Sequence, residues 1–521
     1  MSPLRTRLAP TLQALLGVLL LSGSALTQAQ LNYAASEISL GEWPDDVLRE
    51  DMDGDGRLDL IVPHWSVDAG RELLIYLQDA GGRFPPEPSR HVEIKPEIIA
   101  IALADLRPAP GKELLLFSGT GVFSLSSAIP SYTDNLKPLF DWPLAASVPD
   151  RRRVLYFPAL PDMNNDGYAD LLLPGRDGYG YFRGGADEQF TLAHRFSTVN
   201  EELDPSEVPL GGARLDTSLA INEREGIVLN VRALATTAFE DFLSSWQDSE
   251  QTTLLESRYW LPSAIYANMN GDSAQDIVFM NIGNDLYGQV NILAQDSDGG
   301  FPSTPDWRGS IDTRGDIRLL DVNGDGMQDV LRIINSSNEW TVQFFLNKGG
   351  EFALGQPDQV MRFSGYDLTL SVTDIAGDGR PQLSISYYTI PVVNAVRNAS
   401  IVRSQLLYAS SSVPGDVFTT RPDYRLDENF SATAVRGLSS QIHLQTDLDG
   451  DGRRDAIALS PDGAITARAI NGSLQFADSP FWQYVPTRSV LRFDVQDFNG
   501  DGIADLLLYH STAMTLLVST P

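Results

Sequence analysis

Short apolar segments with strand character recur along the chain, and an acidic turn lies beside the clearest of them. Over residues 316–352 the order is DIRLLD, the acidic turn DVNGDGMQD, the apolar run DVLRII, WTVQFFLN and a Gly-Gly turn that ends at Phe352. Alternation of apolar and polar residues over a few positions is typical of half-buried strands. The pattern predicts a unit of four strands, A to D, with Phe352 opening strand D and packing between neighbouring units.

The acidic turns repeat with a period of about 50 residues. The interval is 53 residues between the turns at 268 and 321, 106 between those at 162 and 268, and 50 between those at 447 and 497. Fainter units are expected near Asp105, Asp216 and Asp374. The clear copies begin at Asp51, Asp162, Asp321, Asp447 and Asp497, and a weaker copy, NMNGDSAQD, begins at Asn268.

Four-stranded units of this length, without helical periodicity between them, predict an all-β fold, a β-propeller of four-stranded antiparallel blades. The repeat count gives nine blades, and counts of seven or eight stay open because the units near Asp105 and Asp216 are faint. The last unit ends after three strands. The segment NYAASEISLGEW near the N-terminus is expected to supply the missing strand, which closes the ring and covers two strand edges.

The spacing of oxygen-bearing side chains in the turns is typical of calcium loops. Calcium takes 6–8 oxygen ligands at about 2.3–2.6 Å. Side chains at positions 1, 3, 5 and 9 and the backbone carbonyl at position 7 supply them here, and the glycine at position 6 is expected to have positive φ. The predicted ligands of the five full loops are Asp51, Asp53, Asp55, Arg57 and Asp59; Asp162, Asn164, Asp166, Tyr168 and Asp170; Asp321, Asn323, Asp325, Met327 and Asp329; Asp447, Asp449, Asp451, Arg453 and Asp455; and Asp497, Asn499, Asp501, Ile503 and Asp505. A sixth and weakest site is predicted at Asn268, Asn270, Asp272 and Asp276, where Ser273 replaces the glycine.

Composition narrows the class of protein. The formal net charge is −31 and the pI about 4.4, which disfavours nucleic acid and anionic membrane surfaces as partners. The absence of cysteine excludes disulfides and thiolate chemistry. Residues 1–29 have the basic, apolar and small-residue regions of a secretory signal, so residues 30–521 are expected to form one exported propeller, in the periplasm, at the cell surface or outside the cell. No other stretch is long and apolar enough to span a bilayer.

The loops DxDGDGxxD and DxNGDGxxD, together with the turn LNKGGEF, resemble the integrin α-subunit-type repeats known as FG-GAP or VCBS repeats of bacterial exported proteins. The resemblance covers nearly the whole chain after residue 29. It implies a propeller with calcium in the A–B loop of several blades. Such repeats occur in adhesion proteins, in lectins and as accessory parts of enzymes, so the resemblance bears on fold more than on function.

Catalytic signatures are missing from the sequence: there is no HExxH, GxSxG or P-loop pattern. Five tryptophans precede predicted A strands and could stack on sugars, with packing at blade corners as the alternative: Trp43, Trp142, Trp260, Trp307 and Trp482. The sequence favours an exported, non-enzymatic binding or adhesion platform for protein or glycan. The alternatives are a polysaccharide-acting hydrolase or lyase built on a propeller and a structural component of the cell surface.

Overall fold

The computed structural model describes residues 31–520 except 42–46, 130–131, 133–135, 146–153, 157–160, 200, 203–226, 230–231, 236–258, 263, 273, 283–285, 390–399, 414 and 432–441. Residues Leu31–Pro521 form one compact unit. The expected signal segment and the expected unit at Asp216 lie outside the described residues. Among the described residues the helical segment is a 3-10 turn at Ala186–Glu188, and no helix there has the length and apolar character to cross a membrane.

The described strands form an all-β, eight-bladed propeller of antiparallel blades, numbered here in chain order. Strand β1 (Asn32–Ser39) comes first. Blade 1 contains β2 (Leu48–Glu50), β3 (Asp59–Ser66), β4 (Gly70–Tyr76) and β5 (Arg90–Ile94). Blade 2 contains β6 (Ile98–Ala104), β7 (Glu113–Ser118), β8 (Gly121–Leu125) and β9 (Lys137–Asp141), and β10 (Leu155–Tyr156) adds to its edge in parallel to β6.

The middle of the chain contains one blade and several shorter strands before blade 4. Blade 3 has three described strands, β11 (Leu171–Gly175), β12 (Gly178–Arg183) and β13 (Thr191–Ser197). The shorter strands are β14 (Glu201–Glu202), β15 (Ile227–Val228), β16 (Arg232–Ala235) and β17 (Tyr259–Pro262). Blade 4 contains β18 (Ala264–Ala267), β19 (Asp276–Ile282), β20 (Tyr287–Leu293) and β21 (Trp307–Asp312).

The second half of the ring is more regular. Blade 5 contains β22 (Asp316–Leu320), β23 (Asp329–Ser336), β24 (Glu339–Phe345) and β25 (Gln359–Ser364). Blade 6 contains β26 (Tyr366–Thr373), β27 (Gln382–Thr389), β28 (Ser400–Tyr408) and β29 (Tyr424–Ser431). Blade 7 has three described strands, β30 (Ala456–Leu459), β31 (Ile465–Arg468) and β32 (Trp482–Tyr484). Blade 8 contains β33 (Arg492–Gln496), β34 (Asp505–Tyr509) and β35 (Ala513–Thr520), with β1 as its fourth strand.

The count of nine blades is wrong, and eight is the number that the described strands form. The interval between the turns at 162 and 268 is twice the repeat length, which predicts two units. In the structure it contains blade 3, a small sheet in the order β14-β17-β16, and β15, which pairs with β22 of blade 5. An insertion of about one repeat length is therefore indistinguishable from a blade by spacing alone.

Buried apolar side chains form eight clusters among the described residues, and each cluster combines two blades that follow one another. Between blades 5 and 6, Leu331 and Phe344 pack with Leu383 and Leu406. Each blade is thus covered on both faces, which explains why its middle strands are apolar runs rather than alternating sequences. All five residues of β34, for example, are buried.

The first and last strands of the described chain are neighbours. Strand β1 lies antiparallel to β35, with Asn32 opposite Thr520 and Ser39 opposite Ala513. Ile38 of β1 is fully buried in the cluster that also contains residues of blades 1 and 8. The backbone groups along this side of β35 are therefore paired.

The phenylalanine after each Gly-rich turn contacts the preceding blade. The Phe352 ring of blade 5 lies 5.3 Å from the Trp307 ring of blade 4, and the Phe84 ring of blade 1 lies 6.3 Å from the Phe498 ring of blade 8. The predicted packing between units is confirmed. The predicted start of strand D at Phe352 is wrong, because β25 begins at Gln359 after a turn closed by a hydrogen bond from the Gln356 N–H to the Ala353 carbonyl.

Candidate metal centre

The loop between the first two strands of blade 1 folds its backbone around the carboxylate of Asp51. Asp51 Oδ1 accepts the backbone N–H of Gly54 at 2.7 Å, and Oδ2 accepts that of Gly56 at 2.8 Å. Gly56 has a φ of +84°, which confirms the positive φ expected at position 6. Ligand oxygens of Asp51, Asp53 and Asp55 all lie within 4.8 Å of one another. Three carboxylates therefore converge in this loop, and that of Asp51 is fixed by backbone N–H donors.

The donor set of this loop fits calcium. Asp53 Oδ1 is a buried oxygen that has no hydrogen-bond partner among the described residues. A buried polar atom without a partner is costly, and converging carboxylates repel one another. A hard cation with a preference for several oxygen ligands would satisfy both, and calcium is such a cation.

The four other full loops repeat the arrangement. In each, the position-6 glycine donates its backbone N–H to the position-1 aspartate, and its φ lies between +84° and +89°. The bonds are Gly167 to Asp162 at 2.7 Å, Gly326 to Asp321 at 2.8 Å, Gly452 to Asp447 at 2.7 Å and Gly502 to Asp497 at 2.8 Å. In one of them, ligand oxygens of Asp447, Asp449 and Asp455 also lie within 4.8 Å of one another.

Positions 5 and 7 are hydrogen-bonded in every full loop, and position 3 joins them where it is asparagine. Where position 3 is asparagine, its Nδ2 donates to the position-5 aspartate, from Asn164 to Asp166 at 3.0 Å, Asn323 to Asp325 at 2.9 Å and Asn499 to Asp501 at 3.1 Å. The position-7 backbone N–H donates to the same aspartate over 2.8–3.0 Å, from Arg57, Tyr168, Met327, Arg453 and Ile503. The predicted ligand at position 7 is the carbonyl of these residues.

The position-9 aspartate has a structural role beside the predicted ligand role. Asp59 is fully buried; its Oδ2 accepts the Met52 N–H and its Oδ1 the Gln78 N–H, both at 2.8 Å. Gln78 follows the third strand, which ends beside the start of the second strand, so the carboxylate links the loop to the end of that neighbouring strand. The same double link is made by Asp170, Asp276, Asp329 and Asp505, while Asp455 accepts two N–H groups of its own loop.

The buried position-9 carboxylates have raised pKa values. Burial raises the pKa of Asp59 and Asp505 to about 6 and that of Asp329 and Asp455 to about 7, although backbone N–H donors act in the opposite direction. Burial also raises the pKa of Asp170 and Asp276. A bound dication would favour the charged form and lower these pKa values.

Sequence reasoning missed two members of the position-9 set. Glu113, fully buried in blade 2, accepts the backbone N–H of Leu106 at 2.9 Å, and Gln382 in blade 6 accepts that of Ile375 at 2.6 Å. Both lie eight residues after an aspartate, Asp105 and Asp374. The offset was visible in the sequence, but the residue type differs because the site needs an oxygen acceptor and not a charge.

The remaining loops differ in charge. In the loop at Asn268 the position-4 glycine, Gly271, donates to Asn268 Oδ1 at 2.8 Å, while position 6, Ser273, lies outside the described residues. This loop has only two carboxylates, Asp272 and Asp276. In the loops at Asp51 and Asp447, the position-7 arginine forms an ion pair with the position-5 aspartate. Each guanidinium group is paired with a predicted calcium ligand, so it would compete with the ion for that carboxylate.

The tryptophans with described side chains pack against protein. The Trp142 ring is buried 5.0 Å from the Phe182 ring of blade 3, and the Trp482 ring lies 5.2 Å from the Tyr33 ring of blade 8. Trp307 and Trp482 lie in fourth strands, which come directly before the first strands of the next blades, as expected. Packing is the role observed for these three, while Trp43 and the Trp260 side chain lie outside the described residues.

Residues 447–508 match a family model described as an FG-GAP-like repeat. This match and the eight-bladed fold support an FG-GAP β-propeller. The match covers the acidic loops at Asp447 and Asp497 and therefore much of blades 7 and 8. Comparison with the sequences of curated proteins gives no match.

Several solved structures are similar to the chain over most of its length. One is an Agrocybe aegerita lectin that recognises non-reducing terminal N-acetylglucosamine, with 13% identity, coverage of 93% of this chain and 98% of the lectin, and a TM-score of 0.38. Another is BBS1N in complex with ARL6DN, with 9% identity, coverage of 93% and 94%, and a TM-score of 0.32. A third is a protein from Lactobacillus plantarum, with 9% identity, coverage of 85% and 98%, and a TM-score of 0.32. All three TM-scores lie below 0.5, so no functional statement about this chain rests on them.

Proposed function

We propose that the protein is an exported calcium-binding β-propeller that serves as a binding or adhesion platform for a protein or a glycan. Five loops hold the calcium ions, and the loop at Asn268 holds a sixth more weakly. The observation that carries the metal assignment is the loop geometry: carboxylates converge at the same positions in repeated loops, and the buried Asp53 Oδ1 has no partner among the described residues.

Calcium stabilises the platform in this proposal. The side chains at positions 1, 3 and 5 hold the ion, which neutralises carboxylates that otherwise oppose closure of the loop. Calcium sites of extracellular modules have dissociation constants of about 10⁻⁴–10⁻³ M. At ten times the dissociation constant, one site adds about 1.4 kcal/mol to the free energy of unfolding. Five such sites would contribute about 7 kcal/mol, which is comparable with the total stability of a domain.

Joining of the chain ends gives the platform its rigidity. The antiparallel pairing of β1 with β35 and the buried cluster that combines blades 8 and 1 support a ring closed by its terminal strands. A closed ring leaves no unpaired strand edge between its first and last blades. Partners then bind to the loops at either end of the ring or to its rim, while the blades themselves stay fixed.

A binding experiment tests the platform role directly. The mature chain is presented to a glycan array and to extracellular protein extracts, once with 5 mM calcium and once with excess chelator, at roughly the concentrations that fill such sites. Selective, calcium-dependent retention of one glycan or protein class supports the proposal. Retention of nothing in either condition, or turnover of a polysaccharide panel, contradicts it and in the second case favours a hydrolase or lyase.

A further inference from the structure

Loops that connect the first and second strands of neighbouring blades are hydrogen-bonded to each other through their backbones. The Leu58 N–H in the loop of blade 1 donates to the Phe498 carbonyl in the loop of blade 8 at 2.7 Å. The same bond joins Arg454 of blade 7 to Ile375 of blade 6 at 2.9 Å, and Gln328 of blade 5 to Asn268 of blade 4 at 3.0 Å. In each case the donor is position 8 of one loop and the acceptor is position 1 or 2 of the loop in the preceding blade.

Of these three pairs, the loops at Asp51 and Asp497 are the pair in which both members are full loops. Leu58 lies between positions 7 and 9 of its loop, and Phe498 follows position 1 of the other, so the bond joins peptide groups that flank predicted ligands. Phe498 is fully buried and Leu58 packs against the same cluster. The two loops also approach at their tips, where a Cβ added to Gly500 would lie 3.4 Å from the Gly56 carbonyl oxygen.

This contact couples the conformational freedom of the two loops. A filled loop holds its peptide groups in one arrangement, and the bond from Leu58 to Phe498 passes that constraint to the neighbour. A loop that is already ordered loses less conformational freedom on binding its own ion, which makes binding at two such sites mutually favourable. Charge acts in the opposite direction, because each ion lowers the negative potential that attracts the next.

We infer that calcium binding is positively coupled between adjacent loops, and that the loop at Asp497 strengthens calcium binding at the loop at Asp51. This inference rests on the proposed calcium function. Salt weakens the opposing effect of charge, since interactions between exposed charges are screened beyond about 8 Å at 0.15 M. The backbone bond is not screened. The inference requires that, at physiological salt, the coupling through the backbone exceeds this screened repulsion.

The test measures calcium binding at one loop while another is damaged. Hydrogen exchange of the peptide over residues 51–59 is followed against calcium concentration in 0.15 M salt. At this salt concentration, exposed charges more than about 8 Å apart interact only weakly. The test variant is Asp497→Asn, in the neighbouring loop. The control is Asp321→Asn in blade 5. The two aspartates are matched: each accepts a glycine N–H on Oδ1 at 2.7 Å and another on Oδ2 at 2.8 Å.

We expect Asp497→Asn to raise the calcium concentration for half-protection of residues 51–59 by at least about fivefold, the lower end of typical coupling between sites. Asp321→Asn should leave it within about twofold. Because coupling is reciprocal, Asp51→Asn should shift the midpoint for residues 497–505 by the same factor as Asp497→Asn shifts that for residues 51–59.

Three results overturn the inference while leaving the calcium function intact. They are an unchanged midpoint in Asp497→Asn, a lowered midpoint, and an equal shift in both variants, which would indicate general destabilisation. A wild-type chain whose residues 51–59 gain no protection from calcium at any concentration refutes calcium binding at that loop, and the inference with it.

Discussion

Asp329 and Asn347 are 18 residues apart in the chain, yet the buried carboxylate of Asp329 accepts the backbone N–H of Asn347 at 2.7 Å. Its other oxygen accepts the N–H of Val322 at 3.0 Å. One side chain thus joins the acidic loop of blade 5 to the end of the third strand. Equivalent links recur in blades 1, 3, 4 and 8, so the loops of these blades are part of the framework as well as candidate metal sites.

Replacement of Asp329 should destabilise the protein even without metal. Asp329→Ala leaves two buried N–H groups without acceptors, at about 1–3 kcal/mol each, so the free energy of unfolding should fall by about 2–6 kcal/mol. Asp329→Gln should cost less, because Gln382 fills the same position in blade 6 and accepts the Ile375 N–H at 2.6 Å. Urea unfolding in excess chelator measures both.

The control for this prediction is Asp325→Ala, which removes an exposed carboxylate from the same loop. In chelator it should change the midpoint of unfolding much less than Asp329→Ala. Equal midpoints for the two alanine variants would show that the buried links contribute nothing measurable.

Removal of the position-7 arginine should tighten calcium binding at its loop. Arg57 forms an ion pair with Asp55, which an incoming ion must displace. Exposed ion pairs are worth about 0.2–1 kcal/mol, so Arg57→Met should lower the calcium midpoint for residues 51–59 by up to about fivefold. Methionine is the natural residue at this position in the loop at Asp321. Arg314→Met, which breaks a pair with Asp312 outside the loops, should have no effect on that midpoint.

An ion pair between blades 2 and 3 should make the stability of the protein depend on pH in the acid range. Glu188 accepts hydrogen bonds from Arg107 Nη2 at 3.0 Å and from Ser124 Oγ at 3.1 Å. Burial alone would raise the pKa of Glu188, but the bonds and charge of Arg107 lower it from its ordinary 4.5. A lowered carboxylate pKa contributes stability that is complete above pH 4.5 and is lost as pH falls through the folded value.

Melting temperatures of the wild type and Glu188→Gln, measured in chelator across the acid range, test this pH dependence. The wild type should melt higher at pH 7, and the difference should shrink below pH 4.5, where Glu188 is protonated first in the unfolded chain and then, at lower pH, in the folded protein. Glu93→Gln removes an exposed carboxylate paired with Lys95 and should give a small difference. A Glu188→Gln difference that stays constant with pH would be at odds with the ion pair.

The aromatic contact between blades 1 and 8 should contribute strongly to stability. Phe84 is 6% exposed and lies edge-on to Phe498. Truncation of a buried phenylalanine costs about 3–5 kcal/mol, so Phe84→Ala should shift the midpoint of unfolding strongly. Phe352→Ala, at the equivalent but only partly buried position between blades 4 and 5, should shift it less. The reverse order would mean that the tighter packing at Phe84 is not what stabilises this junction.

Much of the fold was predictable because local pattern and final structure agree. The segment DIRLLD became β22 and DVLRII became the first part of β23, since each apolar run fits between two covered blade faces. The blade count failed where an insertion has the length of a repeat. The delayed start of β25 was not visible either, because Phe352 leaves the strand direction to pack on the preceding blade.

The candidate site was predictable in position but not in all its roles. Acidic residues at fixed offsets located the loops, and glycine at position 6 indicated the backbone bend. The double role of position 9 required the structure, because its N–H partners at the end of the third strand are 14–19 residues away in the chain for the loops that link to that end. No local motif encodes a contact of that separation, although Glu113 and Gln382 preserve it.

Calcium stoichiometry tests the central claim most directly. Chelator-stripped protein is titrated with calcium in a calorimeter, alongside a variant in which the position-1 aspartates Asp51, Asp162, Asp321, Asp447 and Asp497 are asparagine. The account predicts about five ions per wild-type chain, with dissociation constants near 10⁻⁴–10⁻³ M, a weaker sixth, and little binding by the variant. No heat of binding up to about 10 mM calcium, or equal binding by the variant, would contradict it.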